Sequence, residues 1–203
     1  MPQIVVLVAH PQQEHSRANR SLMRAAAGHA AQRVAVRDLY ALYPDYLIDV
    51  EAEQAQLAGA QLVVWQHPIH WYGMPPLMKL WLDEVFAFGW AYGPGGHALQ
   101  GKDLWLVAST GGPEESYRPS GYNRYFFDAF LPPYEQTAAL AGMRFLPPLL
   151  LHGAHRIDDD ELAAHVQTYA QRLASYPGWP EIAELEPSPD CAVPADARPE
   201  PEA

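Results

Sequence analysis

Short apolar runs alternate with amphipathic segments along most of the chain. The apolar runs predict five strands, the second with alternating polarity and the fifth short, at 4–9, 33–40, 61–66, 103–109 and 144–153. The amphipathic segments predict five helices, at 16–30, 51–60, 75–86, 134–143 and 158–176. Pro75 and Pro76 suit the first turn of the third helix, where a missing N–H group costs nothing.

This alternation of strands and helices predicts the fold class. Parallel strands need crossover connections, and the helices in these connections cover both faces of the sheet. We therefore expect an α/β protein with a doubly wound, five-stranded parallel sheet, strand order 2-1-3-4-5, and helices on both faces.

Composition limits the partners and the compartment. The 203 residues carry a formal net charge of -11 and only 13 lysines and arginines, so we expect no nucleic acid partner, which would need clustered positive charge. Cys191 is the single cysteine, which excludes an internal disulfide and a cysteine-based metal cluster and favours cytosolic residence. The N-terminus lacks the basic region of a signal peptide, and no stretch approaches the roughly 20 apolar residues that span a bilayer.

The chain is expected to contain one domain and a tail. Residues 1–180 carry all the predicted strands and helices. Residues 186–203 are rich in proline and acidic side chains and have too few large apolar groups to bury a core. We predict that this tail is disordered.

Three unusual segments follow strands one, three and four, and the topology brings them together. Ligands of open parallel sheets lie beyond the carboxyl ends of the strands, near the point where the strand order reverses. The segments are AHPQQEHSRAN at 9–19, QHPIHWYG at 66–73 and STGGPEESY at 109–117, here named the first, second and third loops.

The first loop has the composition of an anion site. Ser16 is placed to cap the following helix, whose N-terminal amides and dipole attract a phosphate, while His10, Arg17 and Asn19 add donors and charge. The loop lacks the glycines of a dinucleotide or Walker A motif, which favours a monophosphate. The alternative is that Ser16 only caps the helix and His10 is an ordinary turn residue.

The second loop offers flat apolar surfaces on Trp71 and Tyr72 and backbone amides from Ile69 to Tyr72, which suit a planar heterocycle. Two alternatives are core packing of the aromatic side chains and metal binding by His67 and His70. A metal is disfavoured because an i,i+3 pair in a loop after a strand does not share a face. The pair His152 and His155 is disfavoured equally, and we predict no metal site.

The third loop brings hydroxyl groups and flexible main chain to the same edge. Ser109 and Thr110 supply hydroxyl groups, and Gly111 and Gly112 let the backbone approach a ligand closely. Such a tetrapeptide is weak evidence when taken alone.

Together, these motifs resemble the flavodoxin-like NAD(P)H:quinone oxidoreductase family. The matching residues are HPxxxxSxxN at 10–19, QHPIHWYGMPPLMKLWLDEVF at 66–86 and STGG at 109–112. Within the family the chain is most similar to ancillary subunits of bacterial glutathione-regulated potassium-efflux systems, through the segments at 38–54, 89–102 and 121–151. The segment at 109–125 favours the KefG-like type, which accompanies the KefB antiporter, over the KefF type, which accompanies KefC.

The resemblance implies a flavodoxin-like fold that binds FMN. The corresponding cofactor residues are His10, Ser16, Arg17, Ala18 and Asn19 for the phosphate and ribityl chain, Pro68, Ile69, His70, Trp71 and Tyr72 for one side of the ring, and Ser109, Thr110, Gly111 and Gly112 for the other side.

It also implies an activity. Members are homodimers in which NAD(P)H reduces the flavin and a quinone then takes two electrons, in a ping-pong sequence. A Tyr and a His serve the proton transfers in such enzymes. Tyr117 matches the Tyr, but Asn123 occupies the His position and cannot act as a general acid near neutral pH.

The potassium-efflux likeness implies a partner and a location. The partner would be a membrane antiporter of the KefB or KefC type, which would hold the chain on the cytoplasmic face of the inner membrane. Three functions are therefore open: a quinone reductase that also regulates the antiporter, a purely regulatory flavin-binding subunit with little turnover, and a metal-binding or hydrolytic protein. The last lacks both the G-x-S-x-G and H-E-x-x-H motifs.

Overall fold

A five-stranded parallel sheet forms the centre of the molecule. The computed structural model describes residues 3–29 and 34–185, so the predicted tail at 186–203 lies outside the described residues. The strands are β1 (Ile4–Val8), β2 (Val34–Asp38), β3 (Leu62–Pro68), β4 (Asp103–Ser109) and β5 (Arg144–Leu151). Their order is β2-β1-β3-β4-β5, which confirms the predicted doubly wound α/β topology.

Six α-helices occur among the described residues. They are α1 (Arg17–Gly28), α2 (Leu39–Leu42), α3 (Val50–Ala58), α4 (Pro76–Val85), α5 (Pro132–Leu140) and α6 (Asp159–Ser175). None of the helices that the structure describes is long and apolar enough to cross a bilayer.

The two faces of β1 belong to different hydrophobic cores, because successive side chains of a strand point to opposite sides. Val5 and Leu7 pack in a core that includes Trp81 of α4 and residues of α3 and α5. Val6 and Val8 pack in a second core that includes Leu22 of α1 and residues of α6. Every residue of β1 is buried, which explains its uninterrupted run of apolar residues.

Three predicted elements differ in detail. Strand β2 ends at Asp38, whose carboxylate accepts a hydrogen bond from the backbone N–H of Ala41 and caps the short helix α2, so the prediction of strand to residue 40 was wrong. Helix α5 begins at Pro132, earlier than predicted, because proline fits the first helical turn. Strand β5 is not short: it spans eight residues, and as an edge strand with an irregular register it accommodates Pro147 and Pro148.

Candidate functional site

A cavity of about 720 Å³ opens at the carboxyl ends of β1, β3 and β4, where the predicted site was placed. The parallel register puts Pro68 of β3 level with Ser109 of β4, so the loops that follow these strands start side by side. We call this space the switch-point cavity. It is lined by His10, Pro11, Gln12, His15, Ser16, Arg17, Ala18, Asn19, Pro68, Ile69, His70, Pro76, Ser109, Thr110, Gly111, Ala154 and His155.

The first loop is built as a helix cap, as predicted. The hydroxyl oxygen of Ser16 accepts a 3.1 Å hydrogen bond from the backbone N–H of Asn19 at the start of α1. The backbone N–H of Gln12 donates to Nδ1 of His10 over 3.1 Å, which leaves the proton of the neutral ring on Nε2. Arg17 contacts α6 through an ion pair with Asp159 and a 3.1 Å hydrogen bond to the carbonyl of Ile157.

Asn19 connects all three loops. Its side-chain amide donates a 3.0 Å hydrogen bond to Oγ of Ser109, and its carbonyl oxygen accepts a 2.9 Å hydrogen bond from the side chain of Gln66. The Oδ1 atom of Asn19 is buried and has no hydrogen-bond partner among the described residues. A buried acceptor without a partner is costly, and this one belongs to a residue that lines the cavity.

The second loop is a tight turn with an unusual backbone. The N–H of Ile69 donates to the carbonyl of Ser109 over 2.7 Å, and His70 and Gly73 exchange hydrogen bonds of 2.9 and 3.0 Å. Trp71 and Tyr72 lie between them with φ angles of 47° and 65°, a region that costs non-glycine residues roughly 1–2 kcal/mol.

The exposure of these aromatic rings decides between the alternatives for the second loop. Trp71 is 95% exposed, which excludes the core-packing alternative for this residue. Tyr72 is 48% exposed and stacks on Phe130 with ring centroids 5.1 Å apart. The exposed ring of Trp71 on a strained turn gains little from burial in the folded chain, so a binding role accounts for it better.

The third loop is fixed to a fourth loop, residues 152–156, that follows β5. The carbonyl of Thr110 accepts a 2.9 Å hydrogen bond from the N–H of Ala154, and the carbonyl of Gly112 accepts one of equal length from Gly153. Gly112 cannot be replaced without movement, because a Cβ atom there would lie 2.6 Å from the hydroxyl of Tyr122. Close approach of main chain is therefore built into this loop.

The histidines of the region differ in environment. His67 is fully buried, stacks on Tyr134 and shares a hydrogen bond of 3.0 Å with the carbonyl of Pro68, which agrees with a structural role. Burial and the neighbouring His70 and His155 lower the pKa of His10 to about 4. No group of three or more His, Cys, Asp or Glu side chains suited to a metal ion occurs in residues 3–29 and 34–185.

Tyr117, the last residue of the third loop, and Asn123 do not line the cavity. Oδ1 of Asn123 accepts a 3.3 Å hydrogen bond from the hydroxyl of Tyr72, and its amide donates to Oγ of Ser116 over 3.2 Å. Tyr117 is mostly buried, and burial raises its pKa, although the hydroxyl of Thr110 acts in the opposite direction. Both residues are thus close to the second and third loops.

The structure brings together most of the predicted cofactor residues. Trp71, Tyr72 and Gly112 are the three predicted cofactor residues that do not line the cavity, although each is next to a lining residue in the chain or follows one closely. Six further residues line the cavity without having been predicted from the sequence: Pro11, Gln12, His15, Pro76, Ala154 and His155. The topology contained a signal for the last two, since β5 ends at the same edge of the sheet as β4.

Comparison with known proteins agrees with this geometry. A family model for the flavodoxin-like fold matches residues 2–173. The chain belongs to this flavodoxin-like family. Its relatives include KefF of Citrobacter koseri, an ancillary protein of the glutathione-regulated potassium-efflux system, which is 44% identical over 85% of this chain and 96% of that protein.

Two solved structures extend the comparison. General stress protein 14 of Treponema denticola, in complex with FMN, shares 36% identity over 86% of this chain and 99% of that chain, with a TM-score of 0.79. An NADPH-quinone reductase of P. pentosaceus shares 27% identity over 83% of this chain and 96% of that chain, with a TM-score of 0.75. The ancillary proteins of Citrobacter koseri and Salmonella newport are both named KefF, so these two relatives do not support the KefG-like type that the segment at 109–125 favoured.

Proposed function

We propose that this protein is an FMN-dependent NAD(P)H:quinone oxidoreductase that carries out two-electron reduction in a ping-pong sequence. One observation carries the proposal: a helix N-terminus suited to a phosphate lines the cavity, and a strained aromatic turn suited to a planar ring adjoins its edge. The names of the FMN-bound and quinone-reducing relatives support it.

The donors and acceptors in the cavity fit FMN. The capped start of α1 offers backbone N–H groups and a positive dipole to the phosphate, with Ser16 and Nε2–H of His10 as further donors. The buried Oδ1 of Asn19 can accept a hydrogen bond from a hydroxyl group of the ribityl chain. Backbone groups of Ile69 to Tyr72 that are not used within the turn can pair with the ring, and Gly111 of the third loop lines the same cavity.

FMN would supply the redox chemistry, by accepting hydride from a nicotinamide and passing two electrons to a quinone. The chain supplies orientation and access. The rigid second loop holds Trp71 beside the ring site, and its exposure leaves room for a second planar molecule to stack there. We assign to Tyr117 the donation of a proton to the reduced quinone, because burial raises its pKa and keeps it protonated at neutral pH.

The exposed aromatic surface beside the cavity supports a homodimer. Trp71, Tyr122, Tyr125 and Phe126 are each more than half exposed, and the rings of Tyr72 and Tyr125 both pack on Phe130. Large apolar side chains at this density mark an interaction surface. A second copy of the chain that covers them would place each cavity at the subunit interface, in agreement with the family resemblance.

A regulatory function is the second candidate, and the 44% identity to KefF favours it. The partner would be a potassium-efflux antiporter of the KefB or KefC type, which would hold this chain on the cytoplasmic face of the inner membrane. The two functions are compatible, because bound flavin can both react and report the redox state. In the alternative version, the chain binds flavin and regulates the antiporter with little turnover.

Two measurements test these functions. Purified protein loaded with FMN should show flavin absorption, and stopped-flow mixing with NADPH and then a benzoquinone should bleach and restore it. A loaded protein that is not reduced by NADPH or NADH would remove the enzymatic function. Potassium efflux from cells that carry the antiporter, with and without this chain, tests the regulatory function, and an unchanged efflux rate would contradict it.

A further inference from the structure

The switch-point cavity is rich in imidazole groups and poor in permanent positive charge. His10, His15, His70 and His155 line it, whereas Arg17 is the only lysine or arginine in its lining within the described part of the chain. A phosphate monoester carries close to two negative charges at neutral pH. Arginine and lysine side chains in the lining therefore do not supply enough positive charge to balance a bound phosphate dianion.

Arg17 is partly engaged outside the cavity. Its guanidinium forms a solvent-exposed ion pair with Asp159 at the start of α6 and donates a 3.1 Å hydrogen bond to the carbonyl of Ile157, just before this helix. These contacts direct the side chain toward α6. The net charge that Arg17 contributes to the cavity is reduced accordingly, because the carboxylate lies beside it.

His155 belongs to the fourth loop and lines the cavity. Hydrogen bonds from the N–H groups of Gly153 and Ala154 fix this loop to the third loop. The imidazole packs closely over Gly111: a Cβ atom on that residue would lie 3.3 Å from Cδ2 and 3.4 Å from Nε2 of His155. Glycine at 111 thus lets the ring of His155 lie against the third loop.

We propose that His155 is a phosphate ligand that acts with His10 in the switch-point cavity, and that a phosphate monoester binds there together with a proton. This inference rests on the proposed FMN function and specifies how the anionic end of the ligand is held. Burial and the nearby rings keep His10 neutral in the free protein, with a pKa of about 4. A dianion beside an imidazole favours its protonated form, so a proton is taken up with the phosphate.

The groups that act electrostatically on His10 are His70 and His155, and both disfavour its protonation in the free protein. The other charged or titratable residues of the surrounding elements are Glu14, His15 and Arg17 in the first loop, Glu114 and Glu115 in the third, His152 and Arg156 in the fourth, and Asp158, Asp159 and Asp160 at the start of α6. With one proton taken up, the affinity for the phosphate ligand falls by up to about tenfold for each unit of rising pH.

Calorimetry tests proton uptake directly. FMN is titrated into the protein near pH 8, where its free phosphate is dianionic, in two buffers with different ionisation enthalpies. Riboflavin, which lacks the phosphate, is the matched ligand. We expect uptake of about one proton with FMN and none with riboflavin. The ³¹P chemical shift of bound FMN should remain that of a dianion, which places the proton on the protein.

Two variants assign the proton. His155→Gln keeps a hydrogen-bond donor but cannot be charged, and it should lose about tenfold in FMN affinity and most of the proton uptake, with riboflavin affinity unchanged. His97→Gln is the control, because His97 is exposed and outside the cavity lining.

The outcomes separate the inference from the function on which it rests. FMN binding without proton uptake, a protonated phosphate in the complex, or full uptake in His155→Gln would overturn the inference alone. A wild-type chain that binds neither flavin would contradict the proposed function and the inference together.

Discussion

The side-chain amide of Asn19 donates a 3.0 Å hydrogen bond to Oγ of Ser109 and joins the first turn of α1 to the end of β4. The two residues lie 90 positions apart in sequence, and both are buried. The backbone carbonyl of Asn19 also accepts a hydrogen bond from the side-chain amide of Gln66 in β3, and Oε1 of the same Gln66 amide accepts one from the hydroxyl of Tyr169 in α6. The wall of the cavity is thus cross-linked by buried hydrogen bonds and is preorganised before a ligand enters.

This cross-link can be measured as a coupling energy. Asn19→Ala and Ser109→Ala should each destabilise the fold by about 1–3 kcal/mol, because each leaves a buried polar partner without its hydrogen bond. The double variant should cost less than the sum, with a coupling of about 0.5–1.5 kcal/mol. Urea unfolding of the four proteins gives these values. Additive losses, within about 0.3 kcal/mol, would show that the bond makes no independent contribution.

The sequence was sufficient to predict the strand order and the three loops. Both follow from periodicity and from the rule that ligands lie at the carboxyl ends of parallel strands. It did not reveal α2, because the capping contact of Asp38 competes with a strand pattern that continues through Leu39 and Tyr40. It also missed His155, whose place in the site depends on hydrogen bonds between the third and fourth loops and on the absence of a Cβ atom at Gly111. Such tertiary contacts have no local signal.

Trp71 provides a test of whether the second loop serves binding or stability. Trp71→Ala should change the free energy of unfolding by no more than about 0.5 kcal/mol, because the ring is 95% exposed. Removal of the indole ring should weaken FMN binding or raise the KM for the nicotinamide, since the flat surface beside the proposed flavin site is lost. Urea unfolding and a fluorescence titration with FMN provide both readouts.

Trp81→Ala is the matched control, because the same side chain is fully buried in the core on the α4 side of the sheet. We expect a loss of about 3–5 kcal/mol there, from lost burial and the cavity that remains. If Trp71→Ala also lost several kcal/mol, the positive-φ turn would have a structural function, and the interpretation of the loop as a binding element would be wrong.

His67 should make the folded state sensitive to acid. Its ring is fully buried, and burial lowers its pKa to about 4, against 6.5 in the unfolded chain. Below pH 6.5 the unfolded state takes up a proton that the folded state refuses, so stability is complete above this pH and falls progressively toward pH 4. A shift of this size corresponds to about 3 kcal/mol at pH 4. Urea unfolding at pH 7.5, 6, 5 and 4.5 measures the loss.

His67→Phe isolates this contribution. Phenylalanine can keep the stacking on Tyr134 and cannot be protonated, although it loses the hydrogen bond to the carbonyl of Pro68. The variant should be less stable than the wild type at pH 7.5 but should lose less stability between pH 6.5 and 4.5. Equal slopes in the two proteins would mean that other groups, such as His10, account for the acid sensitivity.

Tyr117 and Asn123 make the proposed proton transfer testable. Tyr117→Phe should slow the reaction of reduced protein with quinone by about 100-fold, because the buried hydroxyl is the proposed proton donor, and should leave reduction by NADPH unchanged. Asn123→His places a group that titrates near neutral pH between Ser116 and the hydroxyl of Tyr72. That variant should accelerate quinone reduction, with a rate that declines as pH rises through the pKa of the new histidine. Stopped-flow measurements of the two half-reactions separate these effects, with Tyr92→Phe as a control outside the cavity lining. An unchanged rate of the quinone half-reaction in Tyr117→Phe would show that the Tyr117 hydroxyl is not the proton donor.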